Sequence, residues 1–338
     1  MPEVTVAIPT RDGGELFAGV LAALATQTVE HELLVCDSGS RDGTAELARA
    51  HGARVLEVAP ESFSHGGVRN RLMEAAGGTH VALLTQDSEP ADERWLQRLL
   101  EGFDLASDVA IVYGPYRPRP HAATAVRLEL ERWFASLSDG GGPQVERLQE
   151  HERSLPAIEL VGRRGFFTDA NACLARTAWQ RVPFRDVPYA EDRVLAIDML
   201  RAGYAKAFLP GAAVVHSHDY TTSEQLCRCF DEWRGLLEVY GWREPASPAR
   251  LLAQLRGELG RAREELIGQG VSGGRLLAAL AAVSRHHVVC RAGALLGSHA
   301  DRLPAGASRR LSLERRAGFT PLQQTPPPMP PSDPAATP

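Results

Sequence analysis

The chain has 338 residues, which suits one large domain or a domain with an appendage, and a chain of that length folds without disulfides or a structural metal. Its hydrophobic content of 44% and charged content of 23% are ordinary for a soluble globular protein. The net charge of −5 argues against a surface that binds nucleic acid.

The charge is unevenly divided along the chain. Residues 1–240 carry 24 basic and 35 acidic side chains, a net charge of −11, whereas residues 241–316 carry 13 basic and 6 acidic ones, a net charge of +7. The basic segment is either a solvated helical face or a surface for an anionic membrane or a lipid-linked molecule. Five cysteines without framework spacing indicate a reducing compartment. With no signal-peptide pattern and no apolar run that could span a bilayer, we expect a cytoplasmic protein, and contact with the inner face of a membrane is left open.

From the N-terminus, short apolar segments alternate with amphipathic ones. Strands are predicted at 4–8, 33–36, 54–58, 81–84 and 109–113, and helices at 16–25, 42–50, 68–76 and 92–102. This alternation is typical of βαβ units. It predicts an α/β fold with a doubly wound, mostly parallel sheet flanked by helices.

Beyond residue 114 the pattern changes. The polar, glycine-containing segment 138–157 is predicted to be a flexible connection or an active-site loop. The elements predicted after it are a helix at 191–202, strands at 206–209 and 212–216, and helices at 221–240, 248–267 and 273–297. We therefore expect an α/β domain over 1–240, a helical appendage over 241–316 and a disordered, proline-rich tail over 317–338.

Polar residues follow three of the predicted strands. They are Pro9, Thr10 and Arg11 after the first strand, Asp37, Ser38 and Ser40 after the second, and Gln86 and Asp87 after the fourth. Because ligands of open α/β sheets bind at the carboxyl ends of the strands, these residues form one candidate site. The Asp37 turn has two compatible interpretations: it begins a helix, or it accepts a hydrogen bond from a nucleobase imide while neighbouring amides face phosphate.

The order and spacing of these motifs resemble those of family 2 glycosyltransferases with the GT-A fold. The resemblance rests on I-P-T at 8–10, D-S-G-S-x-D-G-T at 37–44 and the Asp-bearing turn at 85–88, and it extends from residue 4 to about residue 220. Residues 63–70 resemble the F-x-H-G-x-x-R-N signature of rhamnosyltransferase-like members. The Q-D-S sequence that begins at Gln86 is similar to the Q-D-A of the same members.

The resemblance implies a metal site at Asp87. A carboxylate is a hard oxygen ligand suited to Mg²⁺ or Mn²⁺, and such a cation eases the release of a nucleoside diphosphate. Many family members have D-x-D where this chain has T-Q-D, so one carboxylate is missing here. His216 is the implied second ligand. Since residues two apart on an extended segment point to opposite sides, His218 remains the alternative.

Glu191 and Asp192 resemble the acidic pair that begins a helix in this family. Inverting transfer needs a base that removes the proton of the acceptor hydroxyl, and we expect Asp192 to be that base, with Glu191 orienting the acceptor or the base. The alternative is that both residues only favour the first turn of a helix.

The resemblance also implies further donor and acceptor residues. On the donor side are His65, Gly66, Arg69 and Asn70, where glycine permits close backbone approach and arginine offers a planar fork to a phosphate or ribose. Alternatively, Arg69 and Asn70 only decorate the following helix. On the acceptor side are Phe167, Asp169 and Asn171. Phe166 and Phe167 either stack on a sugar or fill the core.

Together these features predict a metal-dependent, inverting glycosyltransferase that moves a sugar, most simply L-rhamnose from a dTDP donor, to a saccharide or lipid-linked acceptor in cell-surface glycan synthesis. One alternative is a UDP-hexose-dependent enzyme of the same family, and another is a nucleotide-sugar-binding protein without activity. A dinucleotide oxidoreductase is disfavoured, because no G-x-G-x-x-G follows the first strand. A homo-oligomer remains an open expectation.

Overall fold

The computed structural model describes residues 2–316. These residues form two compact units: the first comprises residues 2–117 and 133–216, and the second comprises residues 118–132 and 217–316. The tail expected to be disordered, 317–338, lies outside the described residues. Within 2–316, no helix combines the length and apolar character that a membrane span requires.

The first unit contains eleven strands and most of the predicted α/β alternation. Its elements up to residue 117 are β1 (Val4–Thr10), α1 (Gly14–Ala25), β2 (His31–Asp37), α2 (Thr44–Ala50), β3 (Arg54–Glu57), α3 (His65–Ala75), β4 (His80–Leu84), β5 (Glu89–Pro90), α4 (Trp95–Glu101), β6 (Val109–Tyr113) and β7 (Tyr116–Arg117). There follow α5 (Thr124–Ala135), which lies in the second unit up to Arg132, and then β8 (Gln144–Glu146), α6 (Ala157–Leu160), β9 (Asn171–Ala175), α7 (Arg176–Arg181), α8 (Glu191–Arg201), β10 (Ala205–Phe208) and β11 (Val214–Val215).

Eight of these strands form one sheet in the order β3-β2-β1-β4-β9-β6-β10-β8. Neighbouring strands are parallel except where β9 pairs with β4 and β6, and where β8 pairs with β10. The predicted α/β fold with a mostly parallel sheet is confirmed. The register pairs Thr10 with Asp37, so the ends of β1 and β2 lie side by side.

The core of the first unit explains why these segments are strands. Val4, Val6 and Ile8 alternate along β1 and are fully buried together with Phe17 and Leu21 of α1. A strand buried on both faces reads as a continuous apolar run, which is what the sequence shows at β1 and β4. This core fixes the carboxyl ends of the strands, where the polar motifs lie.

A small second sheet has the order β5-β11-β7. β11 pairs antiparallel with β5, with Val215 opposite Glu89, and parallel with β7. The residue that follows Val215 is His216, and the residue that precedes Glu89 is Ser88. The short sheet therefore brings the two segments that carry the expected metal ligands together.

The second unit is helical. It contains α9 (Thr222–Tyr240), α10 (Pro248–Gly268), α11 (Gly273–Gly297) and α12 (Ala305–Leu311). α9 and α11 approach closely at Gly293 and Gly297, where an added Cβ would lie 2.6 Å from the carbonyl oxygen of Leu226 and 2.4 Å from that of Phe230. Because α9 packs on α11, it belongs to the helical unit. The division of the structure therefore differs from the boundary that we expected at residue 240.

Several elements were not predicted. α5, α7 and β8 have no counterpart in the sequence-based assignment, and β8 lies within the segment 138–157 that was expected to be a loop. α3 begins at His65 rather than at residue 68, because the Ser64 hydroxyl accepts a hydrogen bond from the Gly67 amide at 3.2 Å and caps the helix.

Candidate active site

The loops after β1, β2 and β4 are joined by side-chain hydrogen bonds. The Gln86 carboxamide accepts from the Arg11 amide at 2.7 Å and donates to the Arg11 carbonyl at 3.1 Å. It therefore pairs with the backbone of the first loop through both its oxygen and its nitrogen. Pro9 precedes this loop as part of β1. The predicted donor residues of the three loops therefore do lie at one edge of the sheet, as expected from the strand order.

Asp37 shapes its own loop. Its carboxylate accepts hydrogen bonds from the Gly39 and Ser40 amides, both at 3.0 Å, from the Thr10 hydroxyl at 3.3 Å and from the Ser40 hydroxyl. The residue is 4% exposed. These four bonds involve both oxygens, so the structure supports the turn-forming interpretation of Asp37, and the hydrogen bond to a nucleobase stays a prediction.

The neighbouring Ser38 differs from Asp37 in its hydrogen bonding. Its hydroxyl is buried, and within the described residues it has no hydrogen-bond partner. A buried polar group without a partner is rare in folded proteins and is found where a ligand or water completes the site. Ser38 is therefore the residue of this loop that is best suited to contact a polar ligand.

Gly66 and Asn70 hold α3 against the segment that precedes α8. A Cβ on Gly66 would lie 2.2 Å from the carbonyl oxygen of Arg185, so the close backbone approach is to protein and not to a donor. The Asn70 carboxamide accepts from Trp179 Nε1 at 2.9 Å and from the Phe184 amide at 3.0 Å, and it donates to the Phe184 carbonyl at 2.8 Å. Both residues thus have structural roles in this fold, and their expected donor-binding roles stay predictions.

Asp87 and His216 form the expected metal-type pair. Nδ1 of His216 lies 3.5 Å from Oδ1 of Asp87 and 3.2 Å from the Ser88 hydroxyl. The His216 amide donates to the Arg117 carbonyl at 2.9 Å, which fixes the backbone that carries the ring. Each side chain offers a ligand atom within 4.8 Å of the other, an arrangement suited to one divalent cation. His218 is exposed, and its ring stacks on Tyr220 in the second unit with centroids 5.0 Å apart.

Arg69 lies at the centre of a buried ion-pair cluster. Its guanidinium forms a two-point ion pair with Asp169, in which Nη2 donates to Oδ1 at 2.7 Å and Nε contacts Oδ2. Nη1 lies 3.2 Å from Oε1 of Glu191, and Nδ1 of His65 lies 3.8 Å from the same oxygen. Arg69 is 5% exposed. The guanidinium is thus engaged by protein carboxylates, and its expected contact with a phosphate or ribose stays a prediction.

Asp192 stands beside this cluster at the start of α8. Burial raises its pKa well above the ordinary value, and the negative charges of Asp169 and Glu191 raise it further. Arg193 and the Arg193 amide act in the opposite direction. A carboxylate with a raised pKa is suited to accept a proton near neutral pH, as a general base must.

The three residues expected on the acceptor side, Phe167, Asp169 and Asn171, are all buried. Phe167 and Asn171 are fully buried, and the Asn171 carboxamide is saturated, because it accepts from Trp95 Nε1 at 2.8 Å and donates to the carbonyls of Ala212 and Pro115 at 2.8 and 3.1 Å. These contacts support structural roles for Phe167 and Asn171, and their contact with an acceptor stays a prediction. Asp169 precedes β9 and serves the ion-pair cluster.

Next to the buried Phe167 lies a partly exposed aromatic pair, Phe166 and Trp133. The Phe166 ring is partly exposed and meets the Trp133 ring edge-on with centroids 4.9 Å apart, and the Arg193 guanidinium lies 5.7 Å from the Phe166 centroid. Trp133 is 37% exposed. Aromatic faces with a neighbouring cation are common platforms for sugar rings, which supports the sugar-stacking interpretation of Phe166.

Sequence reasoning missed Tyr116. Its hydroxyl hydrogen-bonds the Thr168 hydroxyl, and its ring meets that of His216 with centroids 4.8 Å apart. Burial raises its pKa, and the Thr168 hydrogen bond opposes that effect while the charges of Asp192, Asp169 and Asp87 add to it. Tyr116 therefore links the metal-type pair with the carboxylate cluster. The available signal was its position just beyond the end of β6, the edge where the other motifs lie.

Comparison with known proteins agrees with this geometry. Residues 5–154 match the model of glycosyl transferase family 2. The chain is 30% identical over 236 residues to the O-antigen chain rhamnosyltransferase RfbN of Salmonella typhimurium, covering 68% of this chain and 71% of that protein. It is 27% identical over 237 residues to the O-antigen chain rhamnosyltransferase WbaN of Salmonella anatum, with the same two shares covered.

A solved structure with a similar fold is the mannosyltransferase PcManGT from Pyrobaculum calidifontis in complex with GDP-Man and Mn²⁺. The TM-score is 0.55 at 20% identity, and the match covers 89% of this chain and 86% of that one. The structural likeness supports the GT-A fold, and the sequence likeness supports the family. The chain belongs to glycosyl transferase family 2, and it is a glycosyltransferase with the GT-A fold.

Proposed function

We propose that the protein is an inverting, metal-dependent rhamnosyltransferase that uses dTDP-L-rhamnose and extends a saccharide or lipid-linked acceptor in surface-polysaccharide synthesis. The observation that carries this proposal is that a metal-type pair, Asp87 and His216, and a carboxylate of raised pKa, Asp192, both lie near Tyr116: its ring meets that of His216, and the charges of Asp87 and Asp192 both act to raise its pKa. The choice of rhamnose is supported by the two rhamnosyltransferase relatives and by the signature at 63–70.

The transfer proceeds as one displacement. The carboxylate of Asp192 takes the proton of the acceptor hydroxyl while that oxygen attacks the anomeric carbon of the donor sugar. The new C–O bond forms as the bond between the anomeric carbon and the phosphate oxygen breaks. The nucleoside diphosphate leaves with the electron pair, and the anomeric configuration is inverted because attack and departure occur on opposite faces.

Asp87 and His216 would hold the divalent cation. An oxygen and a nitrogen ligand at this spacing fit Mg²⁺ or Mn²⁺, with the donor phosphates and water as the remaining ligands. The bound cation would neutralise charge on the departing diphosphate. Because the chain has Thr85 where many members carry a second carboxylate, we expect metal binding to be weak without the donor and much tighter with it.

The nucleotide and the acceptor are assigned to different sides of the edge. Ser38, Arg11 and Ser40 border the donor side, and the buried Ser38 hydroxyl is the group best placed to pair with the nucleotide. Phe166 and Trp133 form the acceptor platform, with Arg193 beside them. This arrangement puts Asp192 next to the acceptor, as a base requires.

We further propose that the protein works at the cytoplasmic face of a membrane. Along α11, Leu277 and Val288 are 71% and 53% exposed, and the exposed Arg285 lies between them in sequence. Apolar side chains flanked by arginine favour contact with an anionic lipid surface. Co-sedimentation with phosphatidylglycerol vesicles tests this, and a Leu277→Ser/Val288→Ser variant should sediment less than the wild type. A homo-oligomer remains a prediction.

The donor proposal is tested by thermal shift. The full chain is heated with dTDP-rhamnose, UDP-glucose, UDP-galactose or GDP-mannose, each with and without Mn²⁺ or Mg²⁺. A preferred donor stabilises the fold by mass action, so dTDP-rhamnose with metal should give the largest rise in Tm. A larger rise with a UDP-hexose would replace the donor that we propose.

A further inference from the structure

The arrangement of the candidate active site involves Arg69, an arginine that is buried from the solvent. We infer that Arg69 is a positioning residue, which holds Asp169 and Glu191 in place and balances their charge so that the neighbouring Asp192 is free to act as the base. This inference rests on the proposed function, because it assigns to Arg69 the arrangement of that same base.

The contacts show that Arg69 joins three separate segments. It projects from α3, Asp169 lies just before β9, and Glu191 begins α8. The Arg69–Asp169 pair is bidentate and buried on both sides, with side-chain exposures of 6% and 6%. A bidentate arginine–carboxylate pair fixes distance and orientation together, which a lysine does not. Arg69 therefore sets where α8 begins relative to the segment that precedes β9.

The charge balance makes the same residue matter to Asp192. The charged and titratable groups around Asp192 are Asp169, Glu191, Arg193, Arg69 and Tyr116. Burial alone would lower the pKa of Arg69, but the charges of Asp169, Glu191 and Asp192 outweigh it, so the guanidinium stays protonated. Without that cation, three carboxylates would share one partly buried site, and like charges at short range disfavour ionisation.

Asp192 also has different hydrogen-bond partners from Asp169 and Glu191. Asp169 and Glu191 are bound by Arg69, and the Asp192 carboxylate instead accepts from the Arg193 amide at 2.7 Å. Ala190, which precedes the pair, has a φ of 57° and so turns the chain sharply into α8. Successive residues of a helix project about 100° apart, so Glu191 meets Arg69 while Asp192 is presented in a different direction.

The test compares pH profiles of two variants with opposite charge changes. Arg69→Met removes the cation, so the acid limb of kcat/KM for dTDP release should move up by about one pH unit or more. Asp169→Asn removes a negative neighbour, so the limb should move down. Arg71→Met, an exposed arginine of the same helix, is the matched control and should leave the limb in place. A residue needed only for folding would lower activity at every pH without moving the limb.

A second measurement needs no donor and therefore separates this inference from the proposed function. The unfolding free energies of the wild type and of Asp192→Asn are measured as a function of pH, and the difference between them is compared with the same difference in an Arg69→Met background. Because the folded-state pKa of Asp192 is raised, the protein with Asp192 loses stability relative to the Asn variant as pH rises through that pKa. In Arg69→Met this loss should extend to higher pH.

Arg69→Lys covers the case in which Arg69→Met does not fold. It keeps the charge and loses the bidentate contact, so the acid limb should stay while kcat falls about tenfold or more. Identical pH dependence in all the Arg69 and Asp169 variants, with or without donor, would overturn the inference. Absence of dTDP release combined with the expected shift in the stability curves would overturn the donor assignment alone.

Discussion

His216 and Asp87 are 129 residues apart in the chain, yet Nδ1 of the imidazole lies 3.5 Å from Oδ1 of the carboxylate. The pairing of β11 with β5 produces this contact, because it aligns the residue after one strand with the residues before the other. Two side chains that flank paired strands of one small sheet are held more rigidly than two side chains on a loop. This arrangement supports the proposal that Asp87 and His216 share one divalent cation.

Removing either ligand should abolish metal-stimulated activity. For Asp87→Asn we expect dTDP release to fall about 100-fold or more and the stabilisation by dTDP-rhamnose to lose its dependence on Mn²⁺. His216→Ala should act in the same direction. The matched control is Asp92→Asn, at an acidic residue that is paired with Arg98. Full metal-stimulated activity in Asp87→Asn would remove Asp87 as a ligand.

Asp192→Asn should separate binding from chemistry. An amide cannot take the acceptor proton, so turnover should fall about 100-fold or more while the thermal shift caused by dTDP-rhamnose and Mn²⁺ stays within error of the wild-type shift. Both quantities come from the same preparation. If donor affinity collapses with activity, Asp192 binds the donor or maintains the fold and is not the base.

Asn171→Ala should lower stability. It would leave Trp95 Nε1 without its acceptor and the Ala212 carbonyl without its donor in the interior, whereas the Pro115 carbonyl would keep its hydrogen bond from the Val214 amide. Unsatisfied buried groups cost about 1–3 kcal/mol each, so the free energy of unfolding should fall by about 3 kcal/mol or more in urea titrations. Gln97→Ala, which removes solvent-exposed hydrogen bonds of a partly buried side chain, should change it by less than about 0.5 kcal/mol. If Asn171→Ala keeps wild-type stability but has a higher KM for the acceptor, Asn171 binds the acceptor and is not a structural residue.

Two glycine substitutions should have opposite effects. Gly66→Ala places a methyl group 2.2 Å from the backbone oxygen of Arg185, so α3 must shift, and we expect a loss of about 3 kcal/mol or more in unfolding free energy. Gly260 lies in α10, and an added Cβ there would have nothing within 4 Å. Because alanine has the higher helix propensity, Gly260→Ala should raise the unfolding free energy by up to about 1 kcal/mol. Thermal unfolding of the two variants beside the wild type checks this. Equal stabilities would show that α3 has room at Gly66.

Lys206 should make stability rise with alkaline pH. Burial lowers its pKa from 10.5 to about 8, and Glu146 only partly opposes this. Between these values the unfolded chain holds the proton that the folded protein has released, so the unfolding free energy increases with pH. Relative to Lys206→Met, the unfolding free energy of the wild type should rise by about 3 kcal/mol between pH 8 and pH 10.5. This figure follows because each unit of pKa shift corresponds to about 1.4 kcal/mol. A flat difference between the two stability curves would mean that the ammonium keeps its ordinary pKa.

The parallel part of the fold could be predicted because its strands are apolar runs that end in polar turns. β1, β2, β3, β4 and β6 all lie where those runs predict them, and the polar motifs share one edge for the same reason. β8 could not be predicted, because Gln144, Val145 and Glu146 are all partly buried and show no clear alternation. It forms only because β10 offers an edge to pair with.

The site was less predictable than the fold. Asp87, His216, Glu191 and Asp192 lie where the motifs suggested, but the partners of Arg69 could not be foreseen, because Asp169 is 100 residues away in the chain. A motif shows which residue types occur together, and only the folded structure shows whether a guanidinium meets a ligand or another side chain. Phe167 and Asn171 illustrate the same limit, since both precede or begin a strand that turns them inward.

The most direct test of the account is acceptor-dependent release of dTDP from dTDP-L-rhamnose in the presence of Mn²⁺. The full chain is incubated with a panel of rhamnose-, galactose- and mannose-terminated oligosaccharides, free and polyprenyl-diphosphate-linked, and release is followed for the wild type and for Asp192→Asn. We predict that at least one acceptor stimulates release by the wild type and that Asp192→Asn loses this stimulation. Tight metal-dependent binding of dTDP-rhamnose without stimulated release by any acceptor would contradict a transferase and indicate a nucleotide-sugar-binding protein.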